Sequence, residues 1–157
     1  MNKGLKRILL DHCKTVLMNR IEAAKSAMDQ AQEAANSEGK SSAGDKYETS
    51  RAMGQMEAGM NARQLDEAQR DLAFISMIDP EMIFDSVQTG SIVETEKLLY
   101  FISTGLGNMV LPPDLPRGSM NIVFLSPASP VAKSMEGKKS GEGFLFNGQA
   151  IKILNVS

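Results

Sequence analysis

Hydrophobic residues in the first half of the chain recur at the three- and four-residue steps of helices that pack along one stripe. The first stripe comprises Leu10, Leu17, Ile21, Ala24, Met28, Ala31 and Ala35, and the second comprises Met53, Met56, Met60, Leu65, Ala68, Leu72 and Ile75. Glycine and serine crowd the segment between them, and Asp79-Pro80 ends the second stripe. The pattern predicts an antiparallel helical hairpin, a coiled coil over residues 1–78 with its tip near 38–45. Its core includes the methionines at 53, 56 and 60.

Beyond Pro80 the pattern changes to short hydrophobic runs separated by turn residues. The predicted strands cover residues 91–95, 98–102, 121–125, 143–146 and 149–156. Asn147-Gly148 predicts a two-residue hairpin turn, because both positions tolerate positive φ. Ser129, Pro130 and Gly137 occupy the cap, first-turn and stop positions of one short helix. The fold class is therefore α+β, with a small, mostly antiparallel β domain and one short helix over residues 79–157.

Charge and cysteine content narrow the classes of function. The chain of 157 residues carries 17 Lys and Arg against 19 Asp and Glu, a net charge of −2. This balance disfavours stable nucleic-acid binding by the protein alone, which needs surplus positive charge against phosphate. Cys13 is the only cysteine, so no intrachain disulfide can form. With no apolar run long enough for a membrane span, we expect a cytoplasmic protein.

Few residues in the sequence suggest chemistry of their own. His12 and Cys13 are neighbours, so on a helix their side chains diverge by about 100°. Gly105-Leu106-Gly107 lacks the continuation of a nucleotide-binding loop and predicts a turn. Asp45 and Glu48, just after the Gly/Ser segment, have two interpretations. They form a capping box at the start of the second helix, or they are a carboxylate pair suited to Mg²⁺.

One segment of the second half resembles a known family. Residues 125–144, LSPASPVAKSMEGKKSGEGF, are similar to a segment of the Gre transcript-cleavage and elongation factors of bacterial RNA polymerase. The matching positions are Ser126, Ser129, Pro130, Gly137, Lys138 and Gly141, with Met135 and Glu142 in place of Leu and Asp. A weaker match, KYETSRAMGQME, resembles the start of the family's second helix. The similarity in architecture, a helical hairpin followed by a small sheet domain, covers nearly the whole chain.

The resemblance implies a partner, a fold and a division of labour. The C-terminal domain would be FKBP-like and would bind RNA polymerase beside its secondary channel through the segment that contains Ser126, Ser129, Pro130, Gly137 and Lys138. The hairpin would enter the channel, and Asp45 and Glu48 at its tip would help to hold a magnesium ion of the polymerase. The factor would bind no metal or cofactor when free and would not itself be an enzyme. The polymerase would cleave its own RNA.

Two alignments of the tip remain open. When Tyr47 is matched to the family's tyrosine, the acidic positions fall on Lys40 and Ala43. When the acidic spacing is matched instead, Asp45 and Glu48 keep the interval but lie about four residues further along the chain. The first alignment implies a modulator that occupies the channel without cleavage, and the second implies a cleavage stimulator.

Two other classes of protein stay open beside this one. An FKBP-like peptidyl-prolyl isomerase or chaperone would need an apolar pocket lined by the aromatics of the second half, which are Tyr100, Phe101, Phe124, Phe144 and Phe146. A coiled-coil adaptor would dimerise through the hairpin, but the five-residue step from Met60 to Leu65 breaks the regular repeat. We expect a monomer.

Overall fold

Two long helices form a hairpin in the first half of the chain, as the sequence predicts. The computed structural model describes residues 3–38 and 44–157, without the side chains of residues 3, 35, 37, 38, 44–48 and 50. Helix α1 spans Lys3–Glu38 and helix α2 spans Gly44–Ser76. Helix α2 ends three residues before Asp79-Pro80, and the amides of Met77 and Ile78 bond back to the carbonyls of Phe74 and Ile75. Among the described residues, no helix is both long and apolar enough to cross a membrane.

The chain divides into two compact units that cut across the helices. One unit comprises Met1–Cys13 together with Phe74–Ser157, and the other comprises Lys14–Ala73. The first turns of α1 therefore belong with the sheet, and the rest of the hairpin forms a unit of its own. The predicted domains, residues 1–78 and 79–157, are meant as parts that fold independently. Contacts within the folded chain do not test this, so the domain limits stay a prediction.

The hairpin unit has a thin core. Leu17, Ala24 and Ala68 are buried in it, whereas Ile21 and Leu72 are half-buried. The methionines predicted as core lie on the surface instead. Met53, Met56 and Met60 are 63%, 69% and 53% exposed. The prediction failed because apolar spacing shows which residues share a helix face, but not whether a second element covers that face.

The second half of the chain forms one six-stranded sheet with a short helix. The strands are β1 (Ile92–Thr95), β2 (Leu98–Ile102), β3 (Gly107–Val110), β4 (Asn121–Leu125), β5 (Gly143–Phe146) and β6 (Gln149–Val156), and helix α3 (Pro130–Met135) lies between β4 and β5. The strand order is β3-β4-β2-β1-β6-β5. All neighbouring pairs are antiparallel except β2 and β4, which are parallel. The α+β class and the mostly antiparallel sheet are confirmed.

Strand β3 is the element that the sequence analysis missed. Gly107, predicted as part of a turn, has φ +84° and begins the strand. Three of its four residues are exposed, because β3 is an edge strand with a single neighbour, β4. An edge strand that begins with glycine and buries no continuous face lacks the alternation that marks half-buried strands.

Both faces of the sheet are apolar. One face includes Val93, Tyr100, Ile102, Phe144 and Ile153, which cluster with Ala132 and Met135 of α3. On the other face, Phe101 and Phe124 meet edge to face with their ring centroids 6.1 Å apart. His12 of α1 lies against Phe124 at a centroid distance of 5.5 Å. Helix α3 therefore packs on one face, and the beginning of α1 contacts the other.

Leu17 tests how much the hairpin depends on its few buried side chains. Leu17→Ala removes a fully buried side chain and should lower the free energy of unfolding by about 3 kcal/mol. The matched control Met18→Ala truncates the next residue, which is 59% exposed, and should cost less than about 1 kcal/mol. Urea unfolding followed by circular dichroism measures both. Equal effects of the two variants would contradict the assigned core.

Candidate functional site

The segment that resembles the Gre family wraps around α3. Ser129 is the N-cap of this helix, with φ −66° and ψ 150°, and its Oγ accepts a hydrogen bond from the amide of Ala132 at 3.3 Å. Pro130 follows at the first helical position, where no intrahelical N–H donor is needed. The predicted cap and first turn are confirmed. Ala132 and Met135 anchor the helix because both are buried against the sheet.

Ser126 shapes the turn that leads into α3. Its Oγ accepts a hydrogen bond from the amide of Ala128 at 3.2 Å, and its carbonyl accepts one from the amide of Ser129 at 3.0 Å. Ser126 and Ser129 thus hold the chain between β4 and α3 through local hydrogen bonds, as short hydroxyl side chains commonly do in turns.

Gly137 and Lys138 fix the other end of the helix. Gly137 has φ +75°, the left-handed conformation that ends many helices. Its amide donates to the carbonyl of Val87 at 2.8 Å, and the amide of Val87 donates to the carbonyl of Lys138 at 2.8 Å. This pair of hydrogen bonds ties the backbone of Lys138 to the segment before β1 and leaves its side chain half-exposed.

The motif ends in a second turn, which leads into β5. Glu142, which stands where the family has Asp, accepts a hydrogen bond at Oε2 from the amide of Lys139 at 2.6 Å. Gly141 has φ +89°, and its amide donates to the carbonyl of Ile153 at 2.8 Å. The carboxylate of Glu142 therefore has a structural role in this turn.

The structure brings the five predicted polymerase-binding residues together around one short helix. Ser126, Ser129, Pro130 and Gly137 build the local shape through their side chains or backbones, and the side chain of Lys138 is half-buried beside them. A loop that is ordered by hydrogen bonds before binding loses little conformational entropy when it docks on another protein. Binding of polymerase through these residues stays a prediction.

The predicted tip residues lie outside the part of the chain that the structure describes in full. The side chains of Asp45 and Glu48 are not described, and Lys40 and Ala43 fall in the gap between the helices. The choice between a capping box and a metal-binding pair stays open. Among the described side chains, no group of three or more His, Cys, Asp or Glu residues is placed to hold a metal ion.

The aromatic side chains of the sheet are used for packing. Tyr100, Phe101, Phe124 and Phe144 are buried. Tyr100 and Phe144 meet edge to face at 6.3 Å between centroids, and burial raises the pKa of the Tyr100 hydroxyl. These four rings form core rather than the walls of an open pocket, so no observation favours the proline-isomerase alternative.

Lys6 is a buried cation that the sequence analysis missed. It is 2% exposed, and its Nζ donates to the carbonyl of Met82 at 2.7 Å and lies 4.8 Å from the centroid of the Phe84 ring. Burial lowers its pKa to about 8, against the opposing effect of Asp79. Its spacing could have revealed it, because Lys6 shares the helical stripe of Leu10, Cys13 and Leu17.

Cys13 is equally buried but chemically quiet. Burial raises the pKa of its thiol to about 11. The thiolate is the nucleophilic form, so Cys13 is unreactive near neutral pH. Its neighbour His12 packs on Phe124 instead of pairing with it. The two residues serve the contact between α1 and the sheet.

Comparisons with known proteins give limited information. No protein-family model matches the chain, and a search of curated proteins finds no sequence match. Among solved structures, one described as "Structure of the transcription factor Gfh1" aligns over 91% of this chain and 92% of its own, at 15% identity and a TM-score of 0.37. A likeness at this score carries no functional assignment.

The pKa of Lys6 predicts a specific dependence of stability on pH. Between about pH 8 and 10.5 the unfolded chain keeps a proton on Lys6 that the folded protein has lost. The free energy of unfolding should therefore rise with pH across this window, by on the order of 3 kcal/mol relative to Lys6→Met. Below pH 8 both states carry the proton, so the difference between the proteins should stay constant.

Denaturant unfolding of the wild type, Lys6→Met and the control Lys25→Met at several pH values measures this difference. Lys25 is exposed, so its variant should follow the wild type throughout. A constant difference between wild type and Lys6→Met from pH 7 to 11 would contradict the lowered pKa.

Proposed function

We propose that the protein is a transcription factor that binds bacterial RNA polymerase and inserts its helical hairpin into the secondary channel. The proposal rests on the resemblance of residues 125–144 to the Gre factors and on the architecture of the chain. The supporting architecture is a two-helix hairpin in the same chain as a small sheet unit that carries the matching segment. In this role the protein acts in the cytoplasm, as a monomer, and through contacts with protein rather than with free nucleic acid.

The observation that carries the proposal is the shape of the segment around α3. Hydrogen bonds at Ser126, Ser129 and Gly137 hold the motif in one ordered loop. A loop ordered before binding loses little conformational entropy in the complex. Lys138 supplies a positive charge at its edge, suited to an acidic or carbonyl-rich surface on the polymerase.

The helices have the reach that the proposal needs. At 1.5 Å per residue, the parts of the helices that belong to the hairpin unit, residues 14–38 and 44–73, are about 38 and 45 Å long. Helices of this length fit the proposed insertion of a hairpin into a channel.

Of the two modes, we favour occupancy of the channel without cleavage. In the alignment anchored on Tyr47, Lys40 and Ala43 take the acidic positions, and neither is a ligand for Mg²⁺. The protein itself performs no chemistry in either mode. Any magnesium would belong to the active site of the polymerase, and Asp45 and Glu48 would at most complete its ligand set.

Lys138 provides the test of the docking surface. Lys138→Glu reverses the partly exposed charge of the α3 segment, while the hydrogen bond from the amide of Val87 to the carbonyl of residue 138 stays available. It should weaken retention on immobilised RNA polymerase about tenfold, a loss of about 1.4 kcal/mol in binding free energy. Lys97→Glu makes the same change at an exposed lysine between β1 and β2 and should bind as the wild type does. Equal retention of all three proteins would contradict the assignment of this surface.

A backtracked elongation complex with labelled RNA separates the two modes. Asp45→Asn should preserve the helix cap, because Asn caps about as well as Asp, but it removes an anionic ligand for Mg²⁺. We expect the wild type to produce little cleavage and to alter the elongation rate, with Asp45→Asn and Glu48→Gln indistinguishable from it. Strong cleavage by the wild type that both variants lose would reverse the preferred mode.

A further inference from the structure

An open groove runs between the two helices of the hairpin unit. It has a volume of about 490 Å³ and lies within the hairpin unit, Lys14–Ala73. Its lining comprises Ala27, Gln30, Ala31 and Ala34 from α1 and Glu57, Met60, Asn61 and Gln64 from α2. Three alanines on one side and a methionine on the other give it a shallow apolar floor with one flexible wall.

The apolar surface continues beyond the groove along α2. Met53 and Met60 are seven residues apart, so they lie on one line of the helix, and Met56 is on the adjacent line. All three are more than half exposed. Methionine is flexible and polarisable and adapts to the shape of a partner. The groove and the three methionines form one surface, which we call the methionine groove.

Charge is distributed unevenly along this surface. Glu67 continues the line of Met53 and Met60, and Asp71 continues the line of Glu57 and Gln64 at the same seven-residue interval. Burial, and then the nearby charge of Glu67, raise the pKa of Asp71, and Arg20 on α1 opposes them. Two carboxylates, Glu67 and Asp71, thus lie near Arg20, further along α2 than the groove residue Gln64.

The neighbouring arginines offset only part of this charge. Arg70 pairs with Asp66 at 3.0 Å, and Arg63 donates from Nε to the carbonyl of Gly59 on its own helix at 3.5 Å. Arg63 keeps its charge in that bond and is four residues from Glu67, so Glu57, Glu67 and Asp71 against Arg20 and Arg63 leave the surface with one excess negative charge. It is therefore complementary to a partner with an apolar face and positive charge near one end.

We propose that the methionine groove binds an amphipathic helix of a partner protein, with its apolar face on Ala27, Ala31 and Met60 and its Lys or Arg residues opposite Glu67 and Asp71. Helices with apolar residues at three- and four-residue steps bind such grooves in other proteins. A second copy of this chain is a poorer occupant, because the same surface would bring the same excess of carboxylates. The inference does not depend on binding to polymerase.

Two synthetic peptides test the charge and the apolar parts together. Both are helical, about 18 residues and so about 27 Å long, with leucine along one face. One has lysines at one end, and the other has glutamates at the same positions. Fluorescence anisotropy with the full chain, at about 0.1 M salt, measures the affinity of each. The wild type should prefer the lysine peptide by at least about tenfold, since two opposed charges are involved.

Two pairs of variants locate the binding surface. Met60→Gln removes apolar character from the groove, and Met18→Gln makes the same change on α1 at an exposed residue that is nine positions from Ala27 and hence on the opposite side of the helix. Glu67→Lys reverses the charge in the groove, and Glu22→Lys reverses an exposed charge on the far side of α1. Circular dichroism confirms the fold of each variant.

We expect Met60→Gln to weaken both peptides about tenfold and Glu67→Lys to transfer the preference to the glutamate peptide, while both control variants bind as the wild type does. Absence of binding to the wild type, or an unchanged charge preference in Glu67→Lys, would overturn the proposal. A dimer in sedimentation experiments that Met60→Gln dissociates would also overturn it, because the occupant would then be a second copy.

Discussion

The structure depends on one constraint, which is that strand β2 is apolar on both of its sides. Leu99, Tyr100, Phe101 and Ile102 follow one another and are all buried, although successive side chains of a strand point to opposite faces. A sheet with such a central strand must be covered twice. Helix α3 packs on one face. The other face is contacted by α1, through the stacking of His12 on Phe124.

This constraint explains why the beginning of α1 belongs to the sheet unit. Lys6 bonds to Met82 and lies over Phe84, and Arg7 pairs with Glu81, so both residues fix the helix to the segment that precedes β1. Lys14–Ala73 form a separate unit, in which Leu17, Ala24 and Ala68 are buried. The hairpin unit therefore keeps exposed methionines, a surface better suited to a partner than to a core of its own.

The sequence predicted the features that local chemistry determines. Asn147 and Gly148 have φ of 50° and 75°, as a two-residue hairpin turn requires, and the cap at Ser129 was found for the same reason. The missed features depend on tertiary neighbours instead. The parallel pairing of β2 with β4, the burial of Lys6 and the exposure of Met60 each depend on what another element covers. The spacing of residues along the sequence does not show which other element packs over them. For the candidate site, sequence supplied the segment around α3 but not the hydrogen bonds that shape it.

The two candidate surfaces differ in stiffness, and this difference has a functional consequence. The segment around α3 is held by hydrogen bonds at both ends, so it can recognise only a surface that already fits it. The methionine groove has flexible walls and can adapt to different helices that carry the right charge. If both proposals hold, the segment around α3 would select a partner surface that already fits it, and the groove would accept a wider range of helices.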